Sequence, residues 1–401
     1  MSASEFALFG ATPAFDRSLP CGQRYFPSWQ RYQDIFYSIF ERQYYTEYGP
    51  LNQLLEKKLQ KFLDVKHAIC VANETIGLMM LASAMELKGK VILPAFAHIG
   101  TAQSLTWAGL EPVFCDVNTE THLIDIDQAA CLIDINVSAI MGAHLWGSAC
   151  EPQKLTEISE ANGVQLYFDA THAFGCKVDG INVSNFGNAE VFSFQQDNIL
   201  NAGEGGCICT NNDELAAQLR TMRSSSGSSN SVEVTKTVNG RMSEAQCAIA
   251  LMSLEDFSTN RQNNQSIYQS YEEQLAVIPG LHLLQPIGAS YSNYQHIVCR
   301  VDEQTFGLSR DMLLSLLRAE NINAQRYFYP GLHRSIPYKN ELPQYLDCLP
   351  NTDNLSESCI QLPTGALVSA RGVEVICEIL SRTHHSATAI LEQCKCKDKA
   401  Y

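Results

Sequence analysis

Four stretches of this chain place hydroxyl, amide or titratable side chains directly after apolar runs, where a strand would present them to a ligand. The first is Asn73-Glu-Thr75-Ile-Gly77. Thr75, in a small-residue turn, reads as the N-cap of a helix, and the same geometry offers free backbone N–H groups to a phosphate. The second is Pro94-Ala-Phe-Ala-His98-Ile-Gly-Thr101, in which spacing alone makes His98 a buried, satisfied core residue. The third, Phe168-Asp169-Ala-Thr-His172-Ala-Phe174-Gly175, ends an apolar run on an acid and adds a histidine three residues on. That pair is either a proton-handling site or a helix cap beside a core histidine. The fourth runs Val191-Phe-Ser193-Phe-Gln-Gln-Asp197-Asn198-Ile-Leu-Asn-Ala-Gly203-Glu-Gly-Gly206. Its glycines imply backbone conformations or approaches that side chains would block.

Such residues act together only if a scaffold gathers the strand ends. Between residues 66 and 210 short runs rich in Val, Ile, Phe and Cys recur: His67–Ala72, Lys90–Pro94, Pro112–Val117, Ser138–His144, Val164–Asp169, Ala189–Phe194 and Gly206–Thr210. Helical spacing lies between several of them, with Leu78, Met79, Leu81 and Met85 on one face and Ala102, Leu105 and Ala108 on another. Strands alternating with helices predict an α/β fold with a mostly parallel sheet, whose ligands bind beyond the carboxyl ends of the strands. The polar loop Ser224–Ser231 reads as a flexible surface excursion. Helices are expected over Met242–Leu254, Asn260–Leu275 and Ala370–Thr383, and another opens at Ser309 with Asp311 in its first turn. His296–Val301 and Ala324–Tyr329 read as strands. A chain of 401 residues exceeds what one core usually supports. The predicted division is an N-terminal arm and large domain over 1–264, and a smaller α+β domain with a tail over 265–401.

Composition narrows the function. A formal charge of −15 argues against binding a phosphate backbone, and no apolar stretch approaches the length of a bilayer span. Nothing at the N-terminus reads as a signal peptide, so a cytoplasmic protein with reduced thiols is expected. The 15 cysteines then read as core filler. Cys207-Ile-Cys209 alternates along a strand and Cys394-Lys-Cys396 falls in the charged tail; neither spacing makes a metal site.

Taken together, the motifs resemble the DegT/DnrJ family of sugar aminotransferases, which have the fold type I architecture of aspartate aminotransferase. The resemblance runs over nearly the whole chain. Beside the four stretches it includes Tyr45-Thr46…Gly49-Pro50-Leu51, Trp107-Ala-Gly109…Pro112-Val-Phe-Cys-Asp116-Val117, His144-Leu-Trp-Gly147, Asn239-Gly-Arg-Met-Ser-Glu244 and Arg326-Tyr-Phe-Tyr-Pro-Gly331. It implies pyridoxal 5′-phosphate (PLP) or pyridoxamine phosphate (PMP) as cofactor. By the resemblance, Asp169 pairs with the ring nitrogen, His172 lies near the ring hydroxyl, and His98 takes the place of the aromatic stacked on the ring. Asn73 and Thr75 at their helix start, with Ser193, hold the phosphate. Asn239 reaches the phosphate of the neighbouring subunit, because the family completes its site across a homodimer. The implied partner is a nucleotide-linked keto- or amino-sugar of polysaccharide or glycoside biosynthesis, with the segment Arg326–His333 bordering it.

One motif departs from the family's. The strand-end pattern Ser-Phe-His-x-Thr-Lys carries the Schiff-base lysine, and here it reads Ser193-Phe194-Gln195-Gln196-Asp197-Asn198. The spacing to Gly203 is preserved, and no lysine lies between Lys177 and Lys236. An amide has no basic lone pair near neutral pH and forms no imine. Three readings follow: a redirected, dehydratase-like or otherwise altered enzyme holding PLP or PMP non-covalently, with His172, His98 or Asp197 as its base; an inactive partner subunit, sugar-nucleotide binder or regulator; or an ordinary aminotransferase whose lysine comes from a distant segment.

Overall fold

The structure is a computed structural model that describes residues 3–46, 48–224 and 232–398; all but Ser224 of the polar loop lies outside them. Each of the seven apolar runs forms a strand: β1 (His67–Val71), β2 (Lys90–Pro94), β3 (Glu111–Cys115), β4 (Val137–Ala143), β5 (Gln165–Asp169), β6 (Ala189–Ser193) and β7 (Gly206–Thr210). They make one sheet in the order β1-β7-β6-β5-β4-β2-β3. Only β7 runs against its neighbours, pairing antiparallel with β1 and β6. The expected mostly parallel α/β sheet is therefore present, and the carboxyl ends of β4, β5 and β6 emerge on one edge.

Helices cover both faces. After β1, α1 being Trp29–Arg42 and α2 Pro50–Leu63, comes α3 (Glu74–Ala84); after β2 comes α4 (Ile99–Ala108). Leu78, Leu81, Ala102 and Leu105 bury themselves against the sheet, as their spacing implies. The cap of α3 is not Thr75. Asn73 takes that role, its side chain accepting from Ile76 N at 2.8 Å, because an Asx carbonyl one bond from the backbone reaches the third helical N–H directly.

A second sheet holds β8 (Leu281–Leu283), β9 (Ile297–Val301), β10 (Gln325–Arg326) and β11 (Cys359–Leu362), antiparallel throughout in the order β8-β9-β11-β10. The expected strand at Ala324–Tyr329 is only two residues long. Tyr327 and Phe328 leave the sheet, the latter at φ 46°, and turn towards the first sheet's edge. The helix at Ser309 forms as expected, with Ser309 accepting from Met312 N. Residues Ala3, Phe6 and Leu19 pack on this second core, since Phe6 finds its apolar partners there and not on the large sheet. Cys394, placed by sequence in the charged tail, sits on a final helix, Ala387–Asp398. Eleven of the fourteen described cysteines are buried and all are free, in keeping with packing.

Two buried acids brace the layers. Glu244, the last residue of the Asn239–Glu244 motif, accepts from Leu51 N and Asn52 N at 3.1 and 3.0 Å and so caps α2 from a distance. Asp116, just past β3, accepts from Asn351 N, Thr352 N and Thr352 Oγ1 at 3.0, 2.7 and 2.7 Å, capping the helix Pro350–Ser358. A carboxylate at a helix N-terminus also complements its dipole. Asp116→Ala is expected to lower the unfolding free energy by roughly 2–3 kcal/mol, since it strands two buried N–H donors. A urea midpoint equal to that of the parent chain would contradict this bracing role.

Candidate functional site

A cavity of about 270 Å³ opens at the carboxyl edge of the sheet. Its floor is Asp169 from the end of β5 and Ser193 from the end of β6; its walls include Glu74, His98, His172 and Asn198, and the second unit closes it with His296, Tyr327 and Phe328. Six of the residues singled out by sequence thus meet: His98, Asp169, His172, Ser193, Asp197 and Asn198. Asn73 and Thr75 do not line the cavity, although their helix start supplies Glu74 to it. Asn239 is exposed, its Oδ1 accepting from Arg241 Nε at 3.1 Å.

Asp169 is neither solvent-exposed nor a simple helix cap. Its Oδ2 accepts from Thr101 Oγ1 at 2.7 Å and its Oδ1 from Thr171 N at 3.1 Å. The Glu74 carboxyl lies beside it. Burial, and then the Asp169 carboxyl, push Glu74 well above the usual carboxylate range.

His98 is not a core residue. It stands exposed at the rim and caps α4, with Nδ1 accepting from Gly100 N at 3.2 Å. His172 is buried, its Nε2 2.7 Å from Tyr327 Oη, and its ring lies parallel to Phe328 at 6.0 Å and against His296 at 4.4 Å. Burial, and then His296 and His98, drive its basicity well below the usual imidazole range. The same burial holds His296 down to about 3, between Gln295 and Gln361, each with Nε2 2.9 Å from a ring nitrogen.

Two residues of the loop after β6 are held by their neighbours. Asn198 Nδ2 donates to Ser193 O at 3.1 Å, and its Oδ1 accepts from Gln295 Nε2 at 3.4 Å. Asp197 pairs with Arg24 Nε at 3.1 Å, while Gln23 N donates to Asp197 O at 2.9 Å. Gly22, at φ 85°, must be glycine here, since a Cβ would fall 2.7 Å from Asp197 Cβ. Gly206 likewise lets β7 approach α3, as its Cβ would meet Phe192 O at 2.7 Å and Glu74 N at 3.0 Å.

Sequence reading passed over Glu74, Cys21, His296 and Gln361, all of which line the cavity. Glu74 reads as an ordinary acid in a helix's first turn, and the others lie more than 70 residues from any motif carrying the floor or in the arm. Of the Arg326–His333 segment, Arg326, Tyr327 and Phe328 border the cavity, whereas His333 is buried against Asp353 at 3.0 Å. Among the described residues no cluster of His, Cys, Asp or Glu could hold a metal ion, and no helix is long and apolar enough to cross a membrane.

Residues 30–381 match the family model of the DegT/DnrJ/EryC1/StrS aminotransferases. The chain belongs to that family. It is 31% identical over 334 residues to a dTDP-4-amino-4,6-dideoxy-D-glucose transaminase of Shigella dysenteriae, covering 80% of this chain and 91% of that protein. An Escherichia coli transaminase of the same name is 27% identical over 351 residues, covering 87% and 94%. The structure of DesI determined in the presence of its TDP-sugar product superposes with a TM-score of 0.91 at 32% identity, covering 98% of this chain and 99% of that one. Helicobacter pylori PseC, at 21% identity and a TM-score of 0.84 over 92% of this chain and all of the other, shares the fold. The expected family and architecture both hold.

Behind the floor a second acid is buried in this family member. Glu190 on β6 has Oε2 3.8 Å from His144 Nε2, and neither of its oxygens meets a donor among the described residues. His144 stacks on Phe168 at 4.9 Å and accepts from Cys150 N at 3.2 Å. Burial pushes Glu190 well above the usual carboxylate range and His144 down to about 3, each disfavouring the charged form. An acid whose pKa rises on folding contributes its stability below its unfolded value and loses it as pH climbs towards the folded one. Glu190→Gln is therefore expected to raise the melting temperature at pH 8 and to change it less at pH 5. Equal shifts at both pH values would show that Glu190 titrates alike in both states.

Proposed function

We propose that this chain is a lysine-less sugar-nucleotide aminotransferase homologue whose cavity takes PLP or PMP without a covalent bond, and whose ordinary transamination is lost or redirected. One observation carries this reading: at Asn198, which the resemblance sets at the lysine position, the amide is bonded at both ends, and no lysine is among the described residues lining the cavity. That arrangement also weighs against a lysine recruited from a distant segment.

The donor set fits such a cofactor held non-covalently. Ser193 Oγ and the first N–H groups of α3, which have no intrahelical acceptor, suit a phosphate at one end, and the Asp169 carboxyl suits a protonated ring nitrogen at the other. Asn73, whose side chain is spent on its cap, and Thr75 would act there through the helix they start. His98 and Phe328 offer ring faces at the mouth, and Asn239 would serve a neighbouring subunit's site. Bound with its ring nitrogen protonated, the cofactor supplies an electron sink for bonds beside its amine. His172 is the titratable group placed to pass a proton in a lysine's stead, its Nε2 lying 2.7 Å from Tyr327 Oη, while its lowered basicity keeps it from retaining one. Asp197 is spent on Arg24, and Asn198 orients without moving a proton. The substrate class is a nucleotide-linked keto- or amino-sugar, handled in the cytoplasm in polysaccharide or glycoside biosynthesis. Arg326 at the mouth is already held by Asp311 through two bonds of 2.9 Å, so it narrows the entrance more than it offers a free charge.

The clamped loop favours a second reading, in which the chain is an inactive partner subunit or sugar-nucleotide binder. Turnover of a nucleotide amino-sugar by PMP-loaded protein separates the two.

After incubation with PLP and treatment with borohydride, mass spectrometry is expected to show no pyridoxyl group on the chain, while Asn198→Lys acquires one. A modified lysine in the unaltered protein would overturn the assignment of Asn198.

A homodimer accords with α1, where Trp29, Tyr37 and Phe40 are 71%, 65% and 67% exposed. Contiguous exposed aromatics mark association surfaces. Phe40→Asp is expected to shift a dimer towards monomer in light scattering after gel filtration; an unchanged mass would place the interface elsewhere.

A further inference from the structure

Glu74 lines the cavity and is 8% exposed, although it opens α3, where an acid ordinarily faces water. Its carboxyl turns inward beside Asp169, and its Oε1 meets no donor among the described residues. Asp169 already receives Thr101 Oγ1 and Thr171 N, so its remaining capacity faces the cavity, where Glu74 sits. The arginines nearby do not neutralise the pair: Arg24 is held by Asp197 and Arg326 by Asp311. Two adjacent carboxyls in a dry pocket persist only when one carries a proton between them.

We propose that Glu74 is a built-in occupant of the ring seat: its carboxyl donates to Asp169 from the position that a bound ring's N–H needs. A protonated ring nitrogen must therefore displace Glu74 before it reaches Asp169. This inference rests on the cofactor pocket proposed above and adds its specificity-determining residue. Glu74 competes by supplying a donor of its own, and it does so from within the chain at a fixed effective concentration. The seat rewards a ligand whose cation outbids a neutral hydrogen bond, and it penalises a neutral ring.

The test is the affinity of the full-length protein for PMP, measured by equilibrium dialysis with fluorescence detection, on the parent chain, Glu74→Ala and Glu74→Gln. Thermal melts confirm that each variant is folded. Glu74→Ala, which removes the competitor, is expected to bind PMP about tenfold more tightly, the equivalent of one competing hydrogen bond. Glu74→Gln keeps an N–H donor for Asp169 and is expected to stay close to the parent chain. If PMP binds all three alike, Glu74 does not compete and this inference falls while the pocket reading stands. If Glu74→Gln binds as tightly as Glu74→Ala, removal of the acid and not of the donor is responsible, which also overturns it. Failure of both the parent chain and Glu74→Ala to bind millimolar PMP overturns the pocket reading and this inference together.

Discussion

The carboxyl of Asp169 is the point on which the site's geometry hangs. It lies at the end of a central strand, buried, and an acid in that position must be surrounded by donors or give up its charge. Two donors reach it, Thr101 on α4 and the backbone turn at Thr171, and Glu74 on α3 lines the same cavity. Each bond sets the entry angle of the element that makes it. The cavity therefore owes its shape to the satisfaction of one acid as much as to the packing of the sheet beneath it.

Around that acid, the loop after β6 has not been left as a gap. A buried amide with both ends bonded costs little, whereas a buried polar atom without a partner costs about 1–3 kcal/mol. Asn198 meets this condition through Ser193 O and Gln295. Its neighbour Asp197 is secured by Arg24 and by the backbone of the arm, with Gly22 permitting the close approach. A cation at residue 198 would have offset part of the negative charge of Glu74 and Asp169. With an amide there, no such offset exists, and burial beside Asp169 pushes the Glu74 carboxyl well above the usual carboxylate range. The altered motif and the inward-turned Glu74 are in this sense one electrostatic arrangement.

Much of this was legible beforehand, and for identifiable reasons. All seven strands of the main sheet announce themselves because a strand covered on both faces is a continuous apolar run, as Val91–Leu93 and Leu166–Phe168 show. Asp169, His172 and Ser193 were legible because a parallel sheet delivers whatever follows its strands to one edge. His98 was misread, since spacing reports a residue's distance from a strand and not its exposure. Thr75 was misread for a neighbouring reason: Asn73 and Thr75 are both capping residues, and only backbone dihedrals decide between them. The short β10 was overextended because Tyr327 and Phe328 are strand-like in propensity but pack against His172, Phe328 with its ring parallel and Tyr327 tilted.

By itself, then, the sequence determined the order of strands and helices, the fold class and the family, all of which depend on local residue type and on spacing along the chain. What only the tertiary structure decided are the pairings between distant segments. Glu244 caps α2 across 192 residues of chain, Asp116 caps a helix 235 residues away, and Arg24 reaches Asp197 over 173. The inward turn of Glu74 belongs with these. Its position in a first helical turn predicts a solvated acid, and only the tertiary fold buries it in the cavity to which β5 brings Asp169.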